Sequence, residues 1–210
     1  MVRGLGAVVA VAGLAMWQAP ACAHPHVFVD ADLQLEAADD GALRKIRHEW
    51  TFDDMYSAFA VQGLPRANGA PTEAALARLA EEIVEKLEDV EFFTSAGAQG
   101  HDLQTTGAQD ARAAFVDGRL RLSFTVLLRA IGGPADKVDV RVYDPQYVVA
   151  ITVRDAVKIV GPARCRHALT RPGALDAADA RQLDDSVRTN QLAANFGAKL
   201  ATVVAFDCRP

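Results

Sequence analysis

The chain is 210 residues long, half of them hydrophobic, with 22 basic against 27 acidic residues and a formal net charge of −5. That balance argues against a nucleic-acid binder, which would carry a basic stripe or a strongly basic domain. The apolar content suffices for one domain with a substantial core, or one domain with an insertion.

The N-terminus has the three parts of a secretory signal. Arg3 is the positive region and Leu5 to Met16 is an almost uncharged apolar run. Pro20 breaks any helix, and Ala21-Cys22-Ala23 offers small residues for cleavage. The run is well short of the roughly 18–20 residues that span a bilayer. The expectation is a leader over residues 1–23, cleaved after Ala23, and a single periplasmic α+β domain over 24–210. Ala19-Pro20-Ala21 lacks the branched apolar residue expected before a lipidated cysteine, which argues against lipidation at Cys22. After cleavage only Cys165 and Cys208 remain, and an even count in an oxidising compartment points to a disulfide. It would close a loop of about 42 residues, worth roughly 4 kcal/mol by loop entropy. Two separate buried thiols are the alternative.

Val27 to Glu36 alternates with period two, Val27, Val29, Ala31, Leu33 and Leu35 sharing one face, which is a half-buried strand. Leu43 to Phe52 alternates as well, and Asp40-Gly41 between them is a tight-turn signal. A two-residue turn pairs Asp39 with Ala42. It then sets Leu35 against Ile46, Leu33 against His48, Ala31 against Trp50 and Val29 against Phe52. A shift by one would mix the faces. Asp53-Asp54 caps a short helix to about Gln62, and Pro65 to Pro71 is a loop. Thr72 caps a second helix whose apolar stripe is Leu76, Leu79, Ile83, Leu87 and Val90. Its acidic run is a solvated face.

The remainder reads as strands. Phe92-Phe93-Thr94 precedes a loop through His101. Ala111–Val116 and Arg119–Ala130 flank the hairpin signal Asp117-Gly118. Val138–Tyr143 and Tyr147–Arg154 flank Asp144-Pro145, and Val157–Val160 is short. A helix follows near 176–188, and 201–207 is the last strand. The fold expected is α+β. It has a mainly antiparallel, sandwich-like sheet core, a helical insertion at about 54–90, and a C-terminal helix plus final strand.

Chemistry concentrates at the mature terminus, His24-Pro25-His26. His24 would join a free α-amine to its own imidazole, a two-nitrogen chelate of the histidine-brace kind. His26 shares its strand face with His24, and the derived register places Asp53 opposite Phe28, diagonal to His26. Imidazole suits zinc, copper, nickel and cobalt. Pro25 has no N–H to surrender, which excludes the square-planar chelate of an ordinary X-X-His terminus. The competing role of Asp53 is a helix cap. His48, among Ile46, Trp50 and Phe52, reads as a hydrogen-bonded core histidine. His101 falls in a polar loop and His167 beside Cys165 is structural. No serine-nucleophile elbow, phosphate loop or His-Glu-x-x-His is present, so an enzyme is not expected.

Ala23-His24-Pro25-His26-Val27-Phe28-Val29-Asp30 after a leader, followed by Trp50-Thr51-Phe52-Asp53 with Tyr56-Ser57, resembles domain-of-unknown-function family 1007. Tyr143-Asp144-Pro145 with Tyr147, Cys165, and the closing Asn195-Phe196-Gly197-Ala198 to Cys208 extend the resemblance over essentially the whole mature chain. Members are often labelled periplasmic components of ABC-type transport systems, with genes near nickel/cobalt-type exporters. The resemblance implies metal handling, with His24, His26, Asp53 and Asp144 as the positions carried over. Asp144 before Pro145 has turn formation as its other role. Some relatives carry a calcium-loop-like insert before the long helix. Here Asn68-Gly69, with Leu64 and Arg66, lacks the oxygen ligands, and no calcium site is expected.

The expectation is a periplasmic accessory protein that binds zinc, nickel, cobalt or copper at its mature N-terminus and serves an inner-membrane metal transporter. The alternative is a metal-free interaction module that docks on such a transporter.

Overall fold

In the computed structural model the described residues are 25–98, 101–130, 135–189 and 192–209. The expected leader and His24 lie outside them. The fold is α+β and mostly β.

Alternation builds β1 (Val27–Ala37) and β2 (Leu43–Phe52) as read. Val29 pairs with Phe52, Ala31 with Trp50, Leu33 with His48 and Leu35 with Ile46, the register expected from the hydrophobic pattern. The turn differs. Ala38 and Ala42 close a three-residue loop, Asp39–Gly41, with Gly41 at φ +90°. Arg44 is then an extra residue on β2, between the pairs Ala37/Leu43 and Glu36/Lys45. A type I turn ending in a left-handed glycine with a bulge restores the register that a two-residue turn would have set. The reason is tertiary, since a Cβ on Gly41 would lie 2.9 Å from the Cys208 carbonyl oxygen.

After α1 (Asp54–Ala60), a two-strand ribbon of β3 (Arg66–Ala67) and β4 (Ala70–Pro71) turns at Asn68-Gly69. Thr72 caps α2 (Glu73–Glu88) by accepting the Ala75 N–H. The buried row of α2 is Leu76, Ala80, Val84 and Leu87, with Leu79 and Ile83 on its flank. Val90 is 43% exposed, because the helix has ended before it.

Phe92 and Phe93 do not start a strand. Glu91, Phe92 and Phe93 form a single 3₁₀-like turn with all three φ values near +50°. β5 (Thr94–Ala98) follows, and the chain returns directly as β6 (His101–Val116), with Ala98 paired to His101 in place of the expected polar loop. β6 and β7 (Arg119–Ala130) are joined by Asp117-Gly118, both at positive φ, as a type I′ turn requires. Two bulges in β6, at 105–108 and 109–112, bend it.

That bend organises the sheet. The strand order is β10-β1-β2-β7-β6-β5-β8-β12-β11, where β8 is Lys137–Val142, β10 Lys158–Val160, β11 Arg166–Thr170 and β12 Val203–Asp207. β9 (Val149–Val153) also lies on β1. One curled, hydrogen-bonded path thus replaces two separately stacked sheets. The core lies between its halves, with Leu35, Ile46, Leu120 and Val126 from one and Val138, Val140, Val204 and Phe206 from the other. β8 and β9 do not pair with each other. β9 runs parallel to β1, so the Asp144 turn carries the chain from one half to the other. α3 (Ala177–Thr189), a 3₁₀ turn at Phe196–Leu200 and β12 complete the chain. β11, absent from the expected strands, is the edge partner of β12.

Cys165 and Cys208 form a disulfide, 43 residues apart in sequence. Among the described residues no helix is long and apolar enough to cross a membrane.

Candidate functional site

The start of β1 is held from two sides. On one side Asp53 lies opposite Phe28. Its Oδ2 accepts the Phe28 N–H at 2.8 Å and its Oδ1 caps α1 by accepting the Tyr56 N–H at 2.9 Å. The Asp53 N–H donates in turn to the Phe28 carbonyl at 2.9 Å. Partial burial pushes the Asp53 carboxyl pKa up, but the N–H groups of Phe28, Tyr56 and Met55 outweigh it and hold the pKa below the usual carboxylate range. α1 is itself anchored: the Ser57 hydroxyl donates to the Phe52 carbonyl and accepts the Leu120 N–H at 2.9 Å, and Arg119 donates to the same carbonyl at 2.7 Å.

On the other side stands Asp144, 6% exposed. Its Oδ1 accepts the Gln146 N–H, and its Oδ2 accepts those of Val148 and Val149, all at 2.8–2.9 Å. The Val148 carbonyl, presented by this turn, accepts the His26 N–H at 2.8 Å. Asp144 thereby places β9 against the first residues of β1. Gly197 supports the turn from behind. A Cβ there would fall 1.9 Å from the Asp144 carbonyl oxygen, so the family-like Asn-Phe-Gly stretch is seated directly on the Tyr-Asp-Pro stretch.

A carboxylate offers about four lone-pair positions. Asp53 uses two, one on each oxygen, and is half-buried, so it retains acceptor capacity toward a cation. Asp144 uses three and is buried. The side chain of His26 is exposed at the start of the strand. An exposed imidazole beside an incompletely used carboxylate is a donor pair that suits a divalent transition ion. Among the described residues no group of three or more His, Cys, Asp or Glu side chains is arranged to hold a metal, and His24 lies outside them.

Two features near this point were not foreseen. A cleft of about 550 Å³ is lined by Asp89, Glu91, Phe93, Asp144, Val148 and Val149, next to the strand start. The left-handed turn at Glu91–Phe93 shapes its rim, and no residue type in that turn signals such a backbone. The second is an exposed apolar pair on α1, Met55 and Phe59, one helical turn apart and each 71% exposed, with Phe28 also exposed on β1.

His48 is a core residue. It is fully buried and stacks on Phe124 with ring centroids 4.7 Å apart. The Thr94 hydroxyl donates to the Phe92 carbonyl, so Nε2 of His48 is the donor toward Thr94 Oγ1 at 3.4 Å. Burial lowers its pKa to about 3. His167 pairs across the sheet with Phe206 in β11.

No curated protein matches the chain. The family description "Protein of unknown function (DUF1007)" matches residues 9–208. That match takes in the His26 strand start, Asp53, Asp144, Gly197 and both bonded cysteines, and the chain belongs to the DUF1007 family.

Proposed function

We propose that the exported chain is a periplasmic accessory protein of a transition-metal transport system and binds a divalent ion at His24-Pro25-His26. The observation that carries this reading is the double clamp on the start of β1, where Asp53 holds Phe28 and the Asp144 turn holds His26. A strand start fixed on both sides keeps a terminal chelate at low entropic cost, because rigid elements preorganise ligands better than a free tail. His24 contributes amine and imidazole, His26 a second imidazole, and Asp53 a carboxylate through its unused lone pairs or as acceptor for a ligating ring. Asp144 acts as a positioning residue through its turn. The bound ion, of the zinc, nickel, cobalt or copper class, is cargo for an inner-membrane transporter.

The test is metal titration of protein exported through its own leader, read by calorimetry and native mass spectrometry. Affinity is expected for at least one of the four metals. His24→Ala combined with His26→Ala should abolish it, and Asp53→Asn should weaken it about 10–100-fold. A protein beginning at His24 that takes up none of these ions sinks the reading.

The exposed pair Met55 and Phe59 favours a second reading, a metal-free module that docks an apolar end on a transporter. Met55→Ser with Phe59→Ser would then remove partner binding, and the histidine substitutions would leave it unchanged.

A further inference from the structure

Acids outnumber bases in the chain, yet the outward face of the β1-β2-β7-β6 half is richer in bases than in acids. That face carries two grooves, of about 800 and about 610 Å³. Both are lined by Asp32, Glu49 and Arg154, so they run into one another. One end is walled by the segment between β9 and β10, the other by the β6–β7 hairpin.

Charge is distributed unevenly along this groove. Its middle is neutralised: Arg154 pairs with Asp32, and Arg47 lies 3.7 Å from Glu49. Its ends are not. Arg112, Arg121 and Lys158 are exposed and, among the described residues, make no ion pair. The register sets Lys158 beside Gln34 on the far side of β1. It sets Arg121 opposite Thr51 on β2, and Arg112 opposite Ser123 on β7. From β10 to β6 is four strand spacings, about 19 Å. A single small anion reaches one end only, whereas an extended chain covers the distance in about six residues.

We propose that this groove binds an extended acidic segment of a partner protein, laid across the strands. One acidic side chain is taken by Arg112 and Arg121, and another by Lys158. Guanidinium forks suit a carboxylate, and the paired charges between the ends leave a floor that neither repels the segment nor competes for it. The site is separate from the N-terminal ligands, so it stands or falls independently of metal binding.

The test uses the exported protein and a fluorescein-labelled peptide of about ten residues, with a glutamate pair at each end of a Gly-Ser centre. Fluorescence anisotropy should show saturable binding that weakens with salt. Arg112→Glu with Arg121→Glu, and separately Lys158→Glu, should each weaken it about tenfold or more. A peptide with its glutamates gathered at one end should respond to only one of the two changes. Charge-neutral Gln variants replace any reversal that fails to fold, with a smaller loss in the same order. The proposal is overturned by no binding, by binding that ignores both changes, or by full competition from free succinate. Equal affinity for a single-stranded oligonucleotide of the same charge also overturns it, since that would mark simple charge attraction.

Discussion

At the scale of residues, single carboxylates and one imidazole hold positions where chains must meet. Asp53 illustrates the double duty. Asp53→Ala removes a helix cap and the acceptor for the Phe28 N–H, and should cost about 1–2 kcal/mol by urea denaturation. Asp53→Asn keeps a capping oxygen and should recover most of that stability, while losing the charge that a metal would use. His48 makes the protein acid-sensitive. Its folded pKa is about 3 against 6.5 when unfolded, so the unfolded chain binds the extra proton in between. Stability is therefore complete above pH 6.5 and falls as pH drops toward 3, by at most about 1.4 kcal/mol per pH unit from this residue. Asp53, with its lowered pKa, acts in the same direction at lower pH. His48→Gln should flatten the fall between pH 6 and 4 in melting curves. A slope identical to that of the parent protein would remove His48 from the explanation.

At the scale of elements, two turns decide how strands are delivered. The Asp144 turn feeds β9 onto β1, and the 3₁₀ turn at Phe196–Leu200 rests on it. Gly197→Ala should cost about 3 kcal/mol or more, because the added methyl meets a backbone oxygen that has no free space to retreat into. The left-handed turn at Glu91–Phe93 is costly in a different way. Each L residue with a side chain held there pays about 1–2 kcal/mol. Glu91 is exposed, so Glu91→Gly should be neutral or stabilising by about 1 kcal/mol in equilibrium unfolding, the reverse of the usual effect of glycine. A clear loss of stability would mean that the Glu91 side chain, not its backbone, matters.

At the scale of the molecule, the curled sheet is closed by ties that cross its halves. The disulfide joins the segment before β11 to the residue after β12, Arg164 donates to the Cys208 carbonyl at 3.0 Å, and Arg171 ties β9 to Thr202 and Asp155. Cys165→Ser with Cys208→Ser should lower stability by roughly 2–4 kcal/mol in chemical denaturation. Cys208 is fully buried, so reduction of the native protein should be slow and should track unfolding.

Legibility followed the range of the interaction. The pairing of β1 with β2 was readable because side chains alternate and one face must be apolar, so a slip by one residue is penalised at every position. The caps Asp53 and Thr72, the Asp117-Gly118 turn and the cysteine pairing were readable for similar local or chemical reasons. The exchange of a two-residue for a three-residue turn at Gly41 was not, because Cys208, far along the chain, sets the space there. Nor was the course of β9, which leaves the Asp144 turn for β1 when a return onto β8 looks equally good locally. By itself the sequence determined which residues are strand and helix, which face is buried, and that His26 begins the first strand near Asp53. Only the tertiary structure decided that Asp144 and Gly197 support that same strand start, and that uncompensated cations flank one groove. Those juxtapositions depend on which strand lies beside which, and alternation along a single strand carries no such information.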